Sequence, residues 1–466
     1  MRIMRTNSIK NIVLIAGLAA VLLSCSTAKH YQRGTVSTDK LFGDTMVTDS
    51  VTMASQPWHE LFTESRLQKL IQEGLDNNPD LLVAIQKVVE AEAYFSQSKA
   101  ALLPSLSATG KGTYVRNPES IYPNGPRDVS TYQLSGEASW EVDLWGKLSS
   151  SKRAAYANLL ASDAGKKAVQ TRLISSIATA YYTLVGLDTK LAITQQTVKN
   201  NIDLVETLKV LQGSGRVNGA AVVQSEAARY AAEVTIPDLL QQIREAENAL
   251  SLLLGRVPGT VERGKIEEQS LSSILKTGVP AQLLDNRPDV MQAEFAVMSA
   301  YETTSSARAY FYPALTLTAS TGFVASDLNK LLDPKSFAAN VIGGLAQPLF
   351  NKRINATRLK IAKAQQEEAL ISFRNTLLKA GQEVHNTLGS YESSVQKIAL
   401  RKLQLDALIK SVDYTKELLT YGTATYTEVL NAQTSLLSAQ LNSVNDKLQQ
   451  LNAVVTLYRA LGGGWK

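Results

Sequence analysis

The side chains that most often perform chemistry in proteins are few and scattered in this sequence. There is one cysteine, Cys25, and the three histidines lie far apart, at His30, His59 and His385. No HExxH, Walker A or GxSxG pattern occurs, so the sequence predicts neither a metal site nor nucleophilic catalysis. We therefore expect no catalytic residue, no metal and no cofactor.

Cys25 is the residue whose position predicts a covalent modification. It follows an apolar stretch at 12–23, which is preceded by three basic residues, Arg2, Arg5 and Lys10. This order is typical of a secretory signal peptide over residues 1–24, and the stretch is shorter than the roughly 20 residues that cross a membrane. The ending "LLSC" is similar to the lipobox of bacterial lipoproteins, in which the cysteine becomes the first, lipidated residue. The alternative is an exported protein with an ordinary buried cysteine.

Composition and charge exclude one class of partner. The 466-residue chain has a formal net charge of +6, and removal of the leader lowers it to about +3. So small and dispersed a charge predicts no nucleic-acid partner. Outside the leader no window holds 18 consecutive apolar residues, so a membrane role would require strands.

Proline placement indicates where the long helices lie. All 13 prolines fall between positions 57 and 126 or between 237 and 348. Because proline in a helix interior costs about 3 kcal/mol, the long proline-free runs predict very long helices. Each run has one glycine-marked break, "LQGSGRVNGAA" at 211–221 and "TYGTATYTEV" at 420–429. We therefore expect two helical hairpins, at 147–254 and 351–461.

The sequence also contains an internal duplication. Residues 78–115 realign with 287–324 at an offset of 209, and the coincident pairs include both Asn/Arg-Pro-Asp starts and both prolines before the strands. The chain then divides into a tether at 25–56 and two repeats, at 57–286 and 287–466. The first repeat ends in a linker at 255–286, and the second begins with a helix at 288–311.

Four strands are predicted, two in each repeat, at 103–115, 131–144, 313–324 and 337–350. One face of each is largely apolar and the other carries Ser, Thr, Gln and acidic residues, as expected when lipid lies outside and water inside. Four strands are too few to close a barrel, so copies of the chain must cooperate, and three copies would give 12 strands. The alternative is a soluble sheet covered by helices.

The junction "WEVDLWGKL" at 140–148 runs from strand directly into helix. We expect Trp140 at the lipid interface, and we expect the lumen to receive the acidic side chains Glu137, Glu141 and Asp143. Gly146 would let the chain bend, and Pro348 marks the same junction in the second repeat, "QPLFNKR" at 347–353. The strict alternation also places Trp145 toward the lumen; the alternative is that a bend at the membrane interface turns it outward.

Several motifs resemble the TolC-like outer membrane efflux proteins, and the leader with its cysteine resembles their lipoprotein branch, the NodT type. The resemblance covers residues 25–466 and rests on ordered motifs that include "SWEVDLWGKL", "LLGRVPG", "LLDNRPDV", "YFYPALTL", "YGTATYTEVLNAQ" and "ALGGGW". It implies an α+β membrane protein: a homotrimeric tube with a 12-stranded β-barrel in the bacterial outer membrane and a long α-helical coiled-coil barrel in the periplasm. It also implies an equatorial region, formed by the linker at 255–286 and the chain termini. It also implies docking on a periplasmic adaptor, or membrane fusion protein, and an inner-membrane pump of the resistance-nodulation-division type.

The resemblance assigns the functional residues to the two helix turns. In relatives an acidic residue in the second turn lines a closed periplasmic gate, and here "TEVLNA" places Glu428 and Asn431 at the two acidic positions of that motif. Asparagine at 431 removes one charge per chain, so a ring of three chains would hold three carboxylates. Without the resemblance, Glu428 is a solvated glutamate in the first turn of a helix. Adaptor docking is assigned to the turns themselves, at Gly215, Arg216, Val217, Gly219, Tyr421, Gly422 and Thr423.

The sequence thus predicts a passive outer membrane conduit for small-molecule efflux, with the energy supplied by the inner-membrane partner. Two other functions stay open at this stage. One is a lipid-anchored periplasmic adaptor or coiled-coil scaffold, and the other is an exit duct for secreted proteins. Two hairpins in a duplicated frame, each with a strand pair, favour the conduit over an adaptor, which usually has a single hairpin.

Overall fold

The structure is a computed structural model of the chain, and it describes residues 31–34, 41, 52–120, 125–269 and 277–466. Cys25 and the leader lie outside the described residues. The chain forms two compact units that do not follow the sequence repeats. The first unit takes residues 87–162 and 292–373 with 31–34, and the second takes the described parts of 36–86, 163–291 and 374–466.

The helices, in chain order, are α1 Trp58–Leu61, α2 Ser65–Asn77, α3 Pro79–Ala100, α4 Lys147–Gly213, α5 Gly219–Glu233, α6 Thr235–Leu253, α7 Leu283–Asn286, α8 Pro288–Ala309, α9 Ile354–Tyr421 and α10 Tyr426–Ala460. Short 3-10 turns lie at Met53–Ser55, Ile266–Glu268, Pro280–Gln282, Leu328–Lys330 and Pro334–Ser336. Among the described residues, no helix is both long enough and apolar enough to cross a membrane.

The first unit holds an antiparallel sheet of four strands in sequence order, β1 Ser105–Arg116, β2 Asp128–Val142, β3 Ala314–Ala325 and β4 Phe337–Ala346. The fourth strand ends four residues before the predicted position 350. Pro348 explains the difference, because proline has no N–H to donate to the ladder. The second strand likewise ends at Val142, so Asp143 lies outside the sheet.

Strand register gives the sheet two chemically different faces. Trp140 lies opposite Leu317, and Ala319 lies opposite Val341, so side chains of like character meet across each pair. The apolar face collects Leu106, Leu134, Ala138, Trp140, Val142, Leu315, Leu317, Phe323, Phe337, Val341 and Leu345. The other face collects Ser107, Thr109, Lys111, Gln133, Glu137, Ser139, Glu141, Thr316, Thr318, Ser320 and Asn340.

Two exceptionally long helices dominate the α-helical part of the chain. α4 has 67 residues and α9 has 68, which correspond to about 100 Å each at 1.5 Å per residue. The return arm of the first hairpin is two helices rather than one, because the chain breaks between α5 and α6 at Val234. The cause is Pro237, which has no N–H to bond the carbonyl of Glu233. The second hairpin has no proline and returns as the single helix α10.

Buried charges fix the second unit near the ends of its helices. The Arg287 guanidinium donates to both carboxylate oxygens of Asp289, at 2.9 and 2.7 Å, to Glu383 at 2.8 Å and to the carbonyl of Ala460 at 2.8 Å. Burial alone would raise the pKa of Asp289, but the ion pair with Arg287 and the Val290 N–H lower it overall. The "LLDNRPDV" motif is therefore a structural joint between α8, α9 and α10.

Part of the predicted tether packs against the first unit. Arg33 donates to both oxygens of the Glu294 carboxylate, at 2.5 and 2.6 Å, and that carboxylate is 8% exposed. The Tyr31 ring lies edge-on to Tyr301, with 5.8 Å between the centroids. Both contacts are with α8, so residues 31–34 are held on that helix.

Glycine at position 322 is required by the close approach of β2 and β3. A Cβ there would overlap the Leu134 carbonyl oxygen and lie 2.5 Å from the Ser135 Cα, whereas a Cβ on Gly344 in β4 would meet nothing within 4 Å. We predict that Gly322→Ala lowers the free energy of unfolding by about 1–3 kcal/mol. Gly344→Ala is the matched control, with an expected change within about 0.5 kcal/mol. Melting of the detergent-extracted protein checks this, and equal stability of the two variants would contradict the strand packing.

Candidate functional site at the helix tips

The first predicted turn is a tight, hydrogen-bonded reversal. α4 ends at Gly213, and Gly215 adopts a φ of +73°. The N–H of Arg216 bonds the carbonyl of Leu211, and that of Gly215 bonds Gln212, both at 2.9 Å. This is the Schellman arrangement, which satisfies the last carbonyls of a helix and needs a left-handed residue that glycine supplies without strain.

The second turn repeats this geometry 207 residues later. Gly422 has a φ of +77°. The Thr423 N–H bonds the carbonyl of Leu418 at 3.0 Å, and the Gly422 N–H bonds that of Leu419 at 3.1 Å. The internal duplication therefore extends to the hydrogen bonds of the tips, and we call 213–218 the first tip and 421–425 the second tip.

Each returning helix is capped by a side chain. The Asn218 side-chain oxygen accepts from the Ala221 N–H at 3.1 Å. In the second tip the cap is reciprocal: the Thr425 N–H donates to the Glu428 carboxylate at 2.7 Å, and the Glu428 N–H donates to the Thr425 hydroxyl at 3.4 Å. Reciprocal capping of this kind satisfies two otherwise unpaired N–H groups. One Glu428 carboxylate oxygen therefore helps to cap the N-terminus of α10.

The two tips pack side by side within the second unit. A buried apolar cluster joins them, made of Leu204, Val205, Leu208, Ala221 and Val222 from the first hairpin and Leu419 and Val429 from the second. We call this the tip cluster. Two polar contacts accompany it: the Tyr426 hydroxyl bonds Gln224 at 2.9 Å, and the Arg216 guanidinium bonds the carbonyl of Thr420 at 3.4 Å. The structure thus brings together the two turns that the sequence placed 207 residues apart.

Most of the residues predicted to dock an adaptor are exposed at this surface. Tyr421 is 73% exposed, and the turn glycines, Arg216 and Thr423 are exposed as well. Val217 differs, because it is half-buried and packs on the tip cluster. The Val217 side chain therefore stabilises the tip through packing more than it contributes to the exposed surface.

The predicted gate residues lie on one exposed face of α10. Glu428 and Asn431 are three positions apart and both are exposed. The face they share also presents Thr427 and Thr434 to solvent. Glu428 carries the only carboxylate of this first turn. An anionic group here is also favoured by the helix N-terminus.

Sequence reasoning missed a polar cleft behind the tips. It has a volume of about 610 Å³ and lies among α4, the α5–α6 break and α10. Gln433 lines it, is 8% exposed and has no hydrogen-bond partner for either amide atom among the described residues. An unpaired buried amide is costly, so polar groups entering the cleft would find a partner there. Pro237 is the residue that could have indicated the cleft from the sequence, because it predicts the break between α5 and α6.

The described residues contain no group of three or more His, Cys, Asp or Glu side chains placed to hold a metal ion. The tips combine two tight turns, a shared apolar cluster and exposed polar side chains.

Comparison with known proteins decides the family. The profile of the outer membrane efflux protein family matches residues 70–256 and 279–463, once in each repeat. The chain belongs to this family. It is 30% identical to the cation efflux system protein CusC of Escherichia coli O6:H1, over 96% of this chain and 98% of CusC. It is 28% identical to the solvent efflux pump outer membrane protein SrpC of Pseudomonas putida, over 96% of each chain.

Comparison with solved structures leads to the same family. A crystal structure of CusC, described in terms of transmembrane channel formation, matches with a TM-score of 0.86 and 28% identity, over 94% of this chain and 100% of that chain. The fold is therefore that of the outer membrane channels of efflux systems, and this outer membrane efflux protein is a transport component. The predicted family, fold class and outer membrane location are confirmed.

The left-handed glycines of the tips can be tested without changing any contact. A Cβ on Gly422, or on Gly389 inside α9, would meet nothing within 4 Å, and the two positions differ in φ. Gly422→Ala is expected to destabilise the tip by about 1–2 kcal/mol, because alanine is strained at positive φ. Gly389→Ala should stabilise slightly, by up to about 1 kcal/mol. Hydrogen exchange at the second tip, faster in the first variant alone, checks the prediction; equal exchange in both would contradict it.

Proposed function

We propose that three copies of this chain form one conduit through the outer membrane, which carries small molecules from a periplasmic adaptor and an inner-membrane pump to the outside. The observation that carries the proposal is the sheet. Within the described residues, β1 and β4 each pair with one strand only, so each has a free edge. Lipid offers no hydrogen-bond partner to such an edge. Pairing of β4 in one copy with β1 in the next closes the ring, and three copies give 12 strands.

The two faces of the sheet suit this assembly. The apolar face, with Trp140 and Leu317, would meet lipid, and the face with Glu137 and Glu141 would line the water-filled lumen. Trp140 lies two residues before the end of β2, where an aromatic ring suits the membrane–water interface.

The tips are the proposed adaptor surface. Arg216, Tyr421 and Thr423 are exposed there, and the tip cluster holds both turns in one arrangement. A rigid surface loses little conformational entropy when a partner binds, which favours docking at this place. The partner we propose is a membrane fusion protein, which links the conduit to a pump of the resistance-nodulation-division type.

The gate is proposed at Glu428 and Asn431. In a ring of three chains, Glu428 would contribute three carboxylates around the axis, whose mutual repulsion favours opening. Asn431 contributes no charge, so the ring is weaker in negative charge than one with an acid at both positions. The capping bond to Thr425 would fix the height of each carboxylate.

The remaining assignments concern energy, anchoring and cargo. We propose that the chain catalyses no reaction, and that its one covalent addition is a lipid on Cys25, which anchors it to the outer membrane. Relatives named for cation efflux and for solvent efflux each match 96% of this chain. We therefore place the choice of cargo in the pump and propose a general small-molecule passage here.

Ion conduction tests the conduit and its gate. Detergent-purified protein is expected to insert into planar bilayers and conduct. Glu428→Gln should lower the preference for cations over anions, because it removes the ring of charge, and Asn431→Asp should raise it. Glu417→Gln, at an exposed acid on α9 outside the tips, is the charge-matched control and should leave the preference unchanged. Absence of any conductance would contradict the conduit, whereas unchanged selectivity in both tip variants would contradict only the gate.

The lipid on Cys25 has its own test. Cys25→Ser should abolish incorporation of labelled palmitate and leave the mature chain without the mass of the added acyl groups. Mass spectrometry of the mature N-terminus measures this directly. An unmodified cysteine in the parent protein would show that the residue is an ordinary one.

A further inference from the structure

The strand-to-helix junction packs inside the chain in the first repeat and is exposed in the second. In the first repeat, the junction 142–148 is turned inward. Trp145 stacks on Tyr312, with 5.0 Å between the centroids, and its indole N–H donates to the carbonyl of Pro313 at 2.7 Å. Asp143 accepts the N–H groups of Leu148 and Ser149 and so caps α4, at 2.9 and 2.7 Å. We predicted Asp143 and Trp145 on the lumen side from strand alternation, but both lie beyond the end of β2 at Val142, so that alternation does not determine where they point.

The lysine of this first junction is also paired. Lys147 forms an ion pair with Glu141, and its ammonium lies 5.0 Å from the centre of the Tyr310 ring. Its side chain is 20% exposed. The first junction therefore satisfies its aromatic, acidic and basic side chains within the chain itself.

The corresponding residues of the second repeat are turned outward. We call Leu349–Arg353 the exposed junction. Leu349 is 96% exposed and Phe350, which occupies the place of Trp145 in the repeat, is 86% exposed. Lys352, in the place of Lys147, and Arg353 make no side-chain hydrogen bond, ion pair or ring contact with the described residues, and both are exposed. Pro348 stands where Asp143 supplied the cap.

The backbone holds the exposed junction in a strained form. Lys352 and Arg353 have φ values of +53° and +67°, and among the described residues they are the only non-glycine residues in the left-handed region. The segment is fixed at both ends, since the Gln347 amide bonds the carbonyl of Phe311 at 3.1 Å and the Asn355 amide bonds that of Tyr310 at 2.8 Å. Strain of this kind persists where surroundings impose it, and it is concentrated at functional positions.

The charge of the surrounding sequence is one-sided. From 347 to 366 there is no acidic residue, and the five basic residues are Lys352, Arg353, Arg358, Lys360 and Lys363. The segment follows directly after β4, whose apolar face continues through Leu345. Large apolar side chains next to basic ones at the end of a membrane strand are the composition of an interfacial anchor.

We propose that the exposed junction binds anionic phospholipid in the leaflet that faces the periplasm. Leu349 and Phe350 enter the acyl region, and Lys352 and Arg353 contact the phosphate group. The inference rests on the proposed placement of the strands in the outer membrane. Lys and Arg near an anionic surface each contribute roughly 1 kcal/mol of attraction, so two of them strengthen binding by about thirty-fold.

A second copy of the chain fits this surface less well. In a closed ring β1 of the next copy lies beside β4, and the residues around β1, from 93 to 118, include no acid. That segment of the neighbour therefore offers no carboxylate to Lys352 and Arg353, and the nearest acids along its chain are Glu92 and Glu119; a phosphate group supplies the countercharge directly. Charge complementarity thus selects the lipid.

Tryptophan quenching locates Phe350. The full-length protein carrying Phe350→Trp is reconstituted into phosphatidylethanolamine–phosphatidylglycerol vesicles with brominated acyl chains, which quench indoles that touch them. We expect quenching beyond the parent protein. Val341→Trp, in the middle of β4 on the apolar face and 81% exposed, should also be quenched, and Leu400→Trp on α9 should not. Quenching at 341 without quenching at 350 overturns the lipid site; absence of quenching at both contradicts the membrane placement itself.

Phospholipid retention tests the two basic residues. Native mass spectrometry counts the phosphatidylglycerol that stays bound to the full-length protein after purification. The double variant Lys352→Gln/Arg353→Gln should lose most of it, while Lys402→Gln/Lys410→Gln, which removes the same charge from exposed positions of α9, should retain it. Equal retention in the two double variants overturns the proposal. So does a loss of copies from the assembly in the first variant with lipid retention unchanged, since it identifies a neighbouring copy as the occupant.

Discussion

Backbone hydrogen bonding at the edges of one small sheet governs the assembly. β2 and β3 each have a paired strand on both sides, while β1 and β4 each present one edge without a strand beside it in the described part of the chain. In water such edges are tolerable, but in lipid each unpaired group costs several kcal/mol. A chain with four strands can therefore enter a membrane only together with copies of itself. The proposed trimer meets that requirement, because three copies give 12 strands.

The length of the two long helices is the second main feature of the fold. α4 and α9 each extend over about 100 Å, far beyond the size of an ordinary domain. Such helices are stable only when neighbours cover their apolar stripes. At the far end both reverse through the same Schellman turn, and the tip cluster binds the two reversals into one surface. The duplication explains why one chain supplies two equivalent tips.

Much of this organisation could be predicted from residue spacing. The absence of proline from two runs predicted the long helices, and the two glycine breaks predicted the tips. Alternation clearly predicted β2 and β3, whereas the pattern was weak for β1 and less decisive for the glycine-rich β4. What could not be predicted depends on contacts between residues distant in sequence. Asp143 follows the strand alternation in sequence, yet it caps α4 instead, because β2 ends one residue earlier. Gln224 and Tyr426 carry no signal that they would meet across the two tips. The sequence allowed Glu428 to be a gate residue or a glutamate in the first turn of a helix. The capping bond to Thr425 shows the helix-turn role, and the gate role stays a prediction.

The duplicated junction shows that aligned motifs can have different surroundings. The two heptapeptides align residue by residue, but one aromatic ring stacks inside the chain and the other is exposed to its surroundings. The two heptapeptides differ at five positions, and at one of them an aspartate that caps a helix in the first repeat is a proline in the second. Repeats in one chain can thus diverge at their edges, where one copy meets its own chain and the other meets the environment.

The number of copies in the assembly is the most direct test of this account. Native mass spectrometry of the full-length protein, extracted from the outer membrane in mild detergent, measures it without assumptions about cargo or partner. Closure of the sheet by three copies predicts a particle of three times the mass of the mature chain, with no monomer while the particle stays conducting. A single chain recovered from the membrane fraction, or a protein found free in the periplasm, would contradict the requirement that its strand edges pair with those of other copies.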